Sequence, residues 1–418
     1  MIDSSLLKTD QGRDALRKSL TDRQEADTVV DKLSEMSIKR SKLITSSETL
    51  QGKRNAISKD IATIKNENPE KVDALKNEVR SISEDLKKQK EELLELDQIY
   101  SDTLLTIPNV LDKTVPVGAD EKSNVSVRQV GEIPEFPAKP HFEVAEEYGL
   151  VDFERGVKLS GSRYYVYNED LSKLERALTN FMLGLHEKAG YKERTVPFLV
   201  NNEAMLRTGQ FPKFADEYYQ IERDGLNLIP TAEVPLTNLY ADEIVSEKDL
   251  PIQVCSLTPC FRREAGSAGK DTRGLVRVHQ FMKVELVKFV KPENSADELQ
   301  KLTGDAERVL QELDLTYRVI FLCSGDTSFS SSLTYDIEVW MPGLKRWLEI
   351  SSCSNFKDFQ ARRAKIRYKD DSTGKNTLVH TLNGSGVAAG RLIAALMEYH
   401  QAPDGSIDFD SIYQKLQQ

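Results

Sequence analysis

The segment from Val254 to Val290 carries the densest set of side chains able to handle a phosphorylated substrate. It reads as strand, glycine-containing loop, strand: VCSLTPCFRREAG, SAGKDTRG, then LVRVHQFMKVELVKFV. Residues two apart on a strand share a face. In the second strand Val276, Val278, Met282, Val284 and Leu286 are expected on a core face, and Arg277, His279, Phe281, Lys283 and Glu285 on the other. An aromatic ring among cations and a carboxylate can stack a base, hold phosphates and pair with an ammonium. Arg277 to Phe281 spans about 13 Å at ~3.3 Å per residue, comparable to a nucleoside triphosphate. Arg262 and Glu264 are likewise expected to share a face of the first strand. Alternation alone fits a solvated amphipathic hairpin at least as well.

Three shorter runs add to this set. Thr231 and Glu233 in IPTAEVP form a same-face polar pair before a proline. RWLEISSCSNF sets Glu349 among hydroxyls, a donor set that suits Mg²⁺, which takes oxygen ligands and keeps part of its water. A solvated strand glutamate gives the same pattern. Asp336 and Glu338 in TYDIEVW share a face and are either metal ligands or surface carboxylates. HTLNGSGVAAGRLIAALMEYH reads as a strand entering a helix, with Gly384, Gly386 and Gly390 at the junction. Such glycines let backbones approach closely, around a ligand or in helix-on-sheet packing. Arg391 falls in the first turns of that helix, whose amino-terminal end favours anions. The junction fits no dinucleotide-binding or Walker pattern.

These segments need a β-rich scaffold, and from Gln129 onward short β-rich runs alternate with helical stretches such as Asp170–Lys188. The pattern predicts an α+β domain of about 300 residues. The chain before it has another character: charged, nearly free of glycine and proline, and built in heptads. Val29, Met36, Leu43, Leu50, Ile57 and Ile64 recur every seven residues, with Leu33 and Ile61 between them. A second seam runs through Leu75, Val79, Ile82, Leu86, Gln89, Leu93, Leu96 and Tyr100 in alternating steps of four and three. Asn68 can cap the second helix and Pro69 suits its first position. Two seams joined so closely predict an antiparallel helical hairpin on the order of 60 Å long. Arg40, Ser47 and Arg54 interrupt the first seam. Such a hairpin by itself serves dimerisation or spacing as readily as RNA reading. A linker from Ile107-Pro108-Asn109 to Pro116-Val117-Gly118 predicts a boundary, with one domain over residues 1–106 and the other over 107–418.

The formal net charge of −10 argues against indiscriminate polyanion binding, though a specific RNA needs only a local basic surface. The four cysteines, Cys255, Cys260, Cys323 and Cys353, lack the close pairing of a zinc site or redox dithiol. They predict reduced thiols in a cytoplasmic protein. No stretch reaches the ~20 apolar residues of a membrane span, and the first residues lack a secretory apolar run.

Taken together and in order, several segments resemble the bacterial-type seryl-tRNA synthetases of class II over nearly the whole chain. They are ALTNFMLGLHEKAGYKERTVPFLV, TGQFPKF, PTAEVPLTN, FRREAGSAGKDTRGLVRVHQFMKVE, EISSCSNFKDFQARR and HTLNGSGVAAGR. The first is similar to motif 1, with Pro197, which in the family builds the dimer interface; the fourth is similar to motif 2 and the last to motif 3. The resemblance implies a coiled-coil arm followed by a catalytic domain built on an antiparallel sheet flanked by helices. It implies ATP and Mg²⁺ as ligands, and L-serine, tRNA-Ser and tRNA-Sec as partners of a homodimer.

The resemblance also implies individual roles. Arg262 is similar to the arginine gripping the α-phosphate and substrate carboxylate, and Glu264 to the glutamate on the adenine amino group. Phe281 and Arg391 resemble the pair enclosing the adenine, and Arg277 the arginine reaching the γ-phosphate. Arg263, Val278, Ile350 and Ser351 fall in the same ATP-binding runs. Glu349 and Ser352 resemble the Mg²⁺ and ATP ligands, and Arg262, Glu349 and Arg391 form the implied catalytic set. Thr231, Ala232, Glu233, Arg262, Glu285, Asn383 and Ser385 resemble the serine pocket, with Glu285 facing the ammonium. Departures from the family pattern are Leu333 where a lysine is usual, Arg263 where serine is frequent, and Arg207 in place of a small residue. Two rival expectations are a relative that forms the adenylate for a non-tRNA acceptor, and a non-catalytic scaffold. The first would lose the hairpin or alter the serine pocket; the second would lose Arg262, Glu264 or Arg391.

Overall fold

The computed structural model describes residues 1–64, 69–265, 273–402 and 404–417. It divides into two compact units, residues 2–107 and residues 108–418, with Met1 lying in the second. No helix among the described residues is long and apolar enough to cross a membrane.

The first unit holds α1 (Asp10–Asp22), α2 (Val29–Ile64) and α3 (Pro69–Leu105). Helices α2 and α3 pair as the heptads predict. As the residue number rises along α2 it falls along α3: Arg40 meets Asp97 at 2.5 Å, and Ser47 donates to Gln89 at 2.9 Å. Two of the interruptions of the seam, Arg40 and Ser47, are therefore answered by polar partners on α3. Gln89 in turn donates to Ser46 at 3.0 Å, so a polar layer replaces one apolar layer and fixes the helix register. Pro69 opens α3; the Asn68 cap falls outside the described residues.

The second unit is built on one eight-stranded sheet. In chain order its elements are β1 (Val125–Val130), α4 (Glu169–Lys188), β2 (Lys192–Glu193), β3 (Ile252–Phe261), β4 (Gln280–Val290), α5 (Ser295–Glu312), β5 (Tyr317–Phe321), β6 (Leu333–Met341), β7 (Arg346–Lys357), β8 (His380–Ala388) and α6 (Ala389–Tyr399). The strand order is β1-β5-β6-β7-β8-β4-β3-β2. Every pairing is antiparallel except that of the short β2 with β3.

Helices α4, α5 and α6 bury one face of this sheet. In α4 the buried Leu171, Leu174, Leu178, Met182 and Leu185 recur at helical spacing, and its first turn is acidic while its last is basic. They join Leu302, Ala306 and Val309 of α5, Leu392, Ile393 and Leu396 of α6, and Val284, Leu286, Ile337, Cys353 and Leu382 of the strands in a single core. Gly384 and Gly386 belong to this packing. A methyl on Gly384 would lie 2.3 Å from Leu302 Cδ2, and one on Gly386 2.5 Å from His186 Nε2. On the opposite face Val287 and Phe289 pack into a second core with Val196, Leu236 and Ile366, and the remainder carries polar side chains.

Two expectations need correction. The second strand of the central hairpin begins at Gln280, so Arg277 and His279 precede it and alternation does not place them. The first strand ends at Phe261, so Arg262 and Glu264 are not a strand pair; Glu264 takes a left-handed φ of 52°. The SAGKDTRG loop lies mostly within residues 266–272, outside the described residues.

Candidate active site

Strand β4 sets the floor. Its Met282, Val284, Leu286 and Val290 side chains enter the helix-covered core, and the buried Lys283 and Glu285 point to the other side. Antiparallel pairing puts Ser385 of β8 directly beside Glu285. On β7 a bulge decides the arrangement. Ile337 stands opposite Ser351 while Glu338 stands opposite Glu349, so Ile350 is an extra residue in its strand. Simple alternation would send Glu349 and Ser352, three apart, to opposite faces. The bulge returns both to the polar face, where Asp336 opposes Ser352.

Two connected cavities open on this face. Leu275, Val276, Arg277, Val278, Phe281, Ile350, Ala388, Gly390 and Arg391 line the first. Arg262, Glu264, Lys283, Glu349 and Ser385 line both. The second adds Thr231, Glu233, Ser352, Asn383 and Glu217. The first, with the Phe281 ring beside the Arg262, Arg277 and Arg391 guanidiniums, suits a flat group flanked by cations. Its Arg262 guanidinium lies 5.4 Å from the Phe281 ring centroid. Arg391 is pinned from below, donating to Glu349 O at 2.7 Å and Val276 O at 3.2 Å. Arg277 pairs with Glu264 at 2.6 Å. Gly390 lines this cavity, and a methyl there would make only ordinary contacts, with Tyr167 Oη at 3.6 Å and Leu275 O at 3.9 Å.

The second cavity ends on carboxylates. Thr231 donates to Glu285 Oε2 at 2.9 Å and accepts from Lys283 Nζ at 3.0 Å. Lys283 is ion-paired with Glu285. Glu233 accepts from Gln360 at 2.7 Å, and Thr381 holds Gln360 from behind. Burial, reinforced by the charge of Glu285, pushes the Glu233 carboxyl up to about 7. Thr231 and Glu233 are not the strand pair expected: Glu233 opens the short helix Glu233–Asn238, whose first turn also holds Pro235.

Most of the residues singled out in the sequence thus converge. Of the residues that the resemblance assigns to the site, three do not line the cavities. Arg263 is exposed beyond the strand end, its amide donating to Glu217 O. Ser351 is buried behind the wall and donates to Ser385 O at 2.6 Å. Ala232 packs into a core with Val196 and Leu236. His279 sits away from the ligand face, stacked on Tyr164 and bonded to Arg262 O at 2.8 Å. Asp336 emerges as more than a surface carboxylate. The residue is half-buried, its buried Oδ1 has no hydrogen-bond partner among the described residues, and desolvation plus Glu349 push its carboxyl well above the ordinary range. Gln360, 127 residues from Glu233 in the chain, carried no signal in the sequence.

A polar wall joining a base-sized slot to an acidic pocket is paired in this chain with a helical hairpin, and both halves match known models. Residues 1–111 match the seryl-tRNA synthetase N-terminal domain, and residues 217–400 match the tRNA synthetase class II core domain (G, H, P, S and T). A serine–tRNA ligase of Leptospira biflexa is 56% identical over 87% of this chain and 88% of its own. The chain belongs to the seryl-tRNA synthetase family. A serine–tRNA ligase of Carboxydothermus hydrogenoformans is 51% identical over 90% of both chains. The seryl-tRNA synthetase of Pyrococcus horikoshii, solved in complex with ATP, superposes with a TM-score of 0.93 at 34% identity, covering 99% of this chain and 98% of that one.

Proposed function

We infer that the enzyme is a serine–tRNA ligase, which joins L-serine to ATP as seryl-adenylate with release of pyrophosphate and then passes serine to the 3′ end of tRNA-Ser. The observation that carries this reading is the single wall on which Phe281, Arg262, Lys283 and Glu285 follow one another from the flat cavity to the acidic one. Adenine enters between Phe281 and Arg391, with Glu264 on its amino group and Val278 and Ile350 at its edge. Arg277 turns to the terminal phosphates. Glu285 takes the serine ammonium; Thr231, Glu233, Asn383 and Ser385 surround the remainder of the substrate. The serine carboxylate attacks the α-phosphorus in line, and Arg262 neutralises the charge that develops there. No covalent enzyme intermediate or general base is required. Alanine and glycine are small enough to enter, so rejection rests on polar partners they leave unpaired.

Glu349 and Ser352 would hold Mg²⁺, and the buried, unpartnered Asp336 Oδ1 beside them fits a cation at this place. No group of three or more His, Cys, Asp or Glu among the described residues is placed to hold a metal ion; water and phosphate oxygens would complete the shell. When bound, Mg²⁺ screens the phosphate charge.

The hairpin of α2 and α3 is the proposed tRNA grip, so residues 1–106 bind tRNA and 107–418 catalyse. tRNA-Sec is proposed as a second acceptor, which charging of its transcript tests. Exposed Phe198 and Leu199 beside Pro197 support a homodimer through this segment. Four free, buried thiols accord with the cytoplasm. Charging of tRNA with each of the twenty amino acids tests the assignment: serine alone should be esterified. Serine-dependent pyrophosphate exchange without charging would favour an adenylate-forming relative instead.

A further inference from the structure

Lys283 has no part in the roles set out above, yet it occupies their centre. It is 5% exposed, projects between Phe281 and Glu285 from the same face of β4, and lines both cavities. Its ammonium is ion-paired with Glu285 and donates to Thr231 Oγ1 at 3.0 Å. Glu285, the proposed seat of the substrate ammonium, is therefore already holding an ammonium.

We propose that Lys283 is a specificity-determining residue: it occupies Glu285 in the empty site and yields that carboxylate to the substrate only when the substrate's own carboxylate arrives to become the lysine's partner. The inference rests on Glu285 being the ammonium seat. A buried cation stripped of its counter-charge is costly. A ligand that brings an ammonium alone would leave two cations on one buried carboxylate. A zwitterion keeps the charges paired, because Lys283 can turn toward the cavity it shares with Arg262, where the reacting carboxylate must lie. The site thus reads the ammonium and the carboxylate together, and only the arrangement that can attack the α-phosphorus is admitted.

Serinol, which keeps the ammonium and hydroxyl of serine and carries a second CH₂OH in place of the carboxylate, is the probe. Its inhibition constant is measured in serine-dependent pyrophosphate exchange with the full-length enzyme. In the parent enzyme serinol should bind at least about a hundredfold more weakly than serine, and added formate should strengthen it several-fold by giving Lys283 a partner. In Lys283→Met serinol should tighten about tenfold, formate should have no effect, and the serine KM should rise. Lys283→Arg should keep the parent's preference. Parallel weakening of serine and serinol in Lys283→Met, or no formate effect in the parent, would overturn the proposal. Glu285→Gln separates the two claims: if it leaves the serine KM unchanged, the pocket assignment itself fails. If it raises KM while serinol ignores Lys283→Met, only the role of Lys283 fails.

Discussion

Glu233 offers a prediction whose size follows from its surroundings. Its carboxyl is buried, the charge that acts on it most strongly is the like-signed Glu285, and its pKa rises from 4.5 to about 7. An acid whose pKa is raised by folding favours the folded state in its protonated form. Its contribution is full below the unfolded value and is lost as pH climbs through the folded one. Integrating that linkage, the ionisable side chain destabilises the fold by about 1.4 kcal/mol at about pH 5.5 and by about 3.4 kcal/mol at about pH 8.5. Glu233→Gln removes the titration and keeps an oxygen for Gln360. The variant should therefore be more stable than the parent, with an advantage larger by about 2 kcal/mol at the higher pH. Thermal unfolding of both proteins at the two pH values reads this as a melting-temperature gap that widens by several degrees. Serine activation should fall at the same time, since a polar partner of the substrate is lost. A gap of equal size at both pH values, or one that narrows with rising pH, would refute the reasoning.

Other perturbations follow from the same geometry. Phe281→Ala should raise the ATP KM by roughly tenfold to a hundredfold, the worth of one base–aromatic stack, with little change in the serine KM. Gly384→Ala should lower stability by about 1–3 kcal/mol, because the new methyl meets Leu302 and Cys353. Gly390→Ala should leave the melting temperature nearly unchanged, because its methyl makes only ordinary contacts with Tyr167 at 3.6 Å and Leu275 at 3.9 Å. Removing residues 24–103 should spare serine-dependent pyrophosphate exchange and cripple tRNA charging; intact charging would leave the hairpin without its proposed role.

The hairpin was legible because heptad spacing survives its interruptions. What the pattern could not show is that Ser47 and Gln89 meet across the pair, since that depends on the register of two helices. The core face of β4 was legible from alternation at Val284 and Leu286. Alternation failed where the chain leaves the sheet, at Arg262, Glu264, Arg277 and His279. There, turn geometry and tertiary hydrogen bonds aim the side chains. It would also have misplaced Ser352 relative to Glu349, because a bulge at Ile350 is a property of two strands. Family likeness supplied that pair. Gln360 and Asp336 matter through burial and distant partners, which a local reading does not reach.

The central claim is that Arg262, placed between the base slot and the acidic pocket, answers the charge that forms at the α-phosphorus. Serine-dependent pyrophosphate exchange by Arg262→Ala, measured beside its melting temperature, tests this directly. The account predicts a rate lower by about a thousandfold or more, equivalent to about 4 kcal/mol of lost transition-state stabilisation, in a protein that still unfolds near the parent temperature. Exchange at close to the parental rate would contradict it.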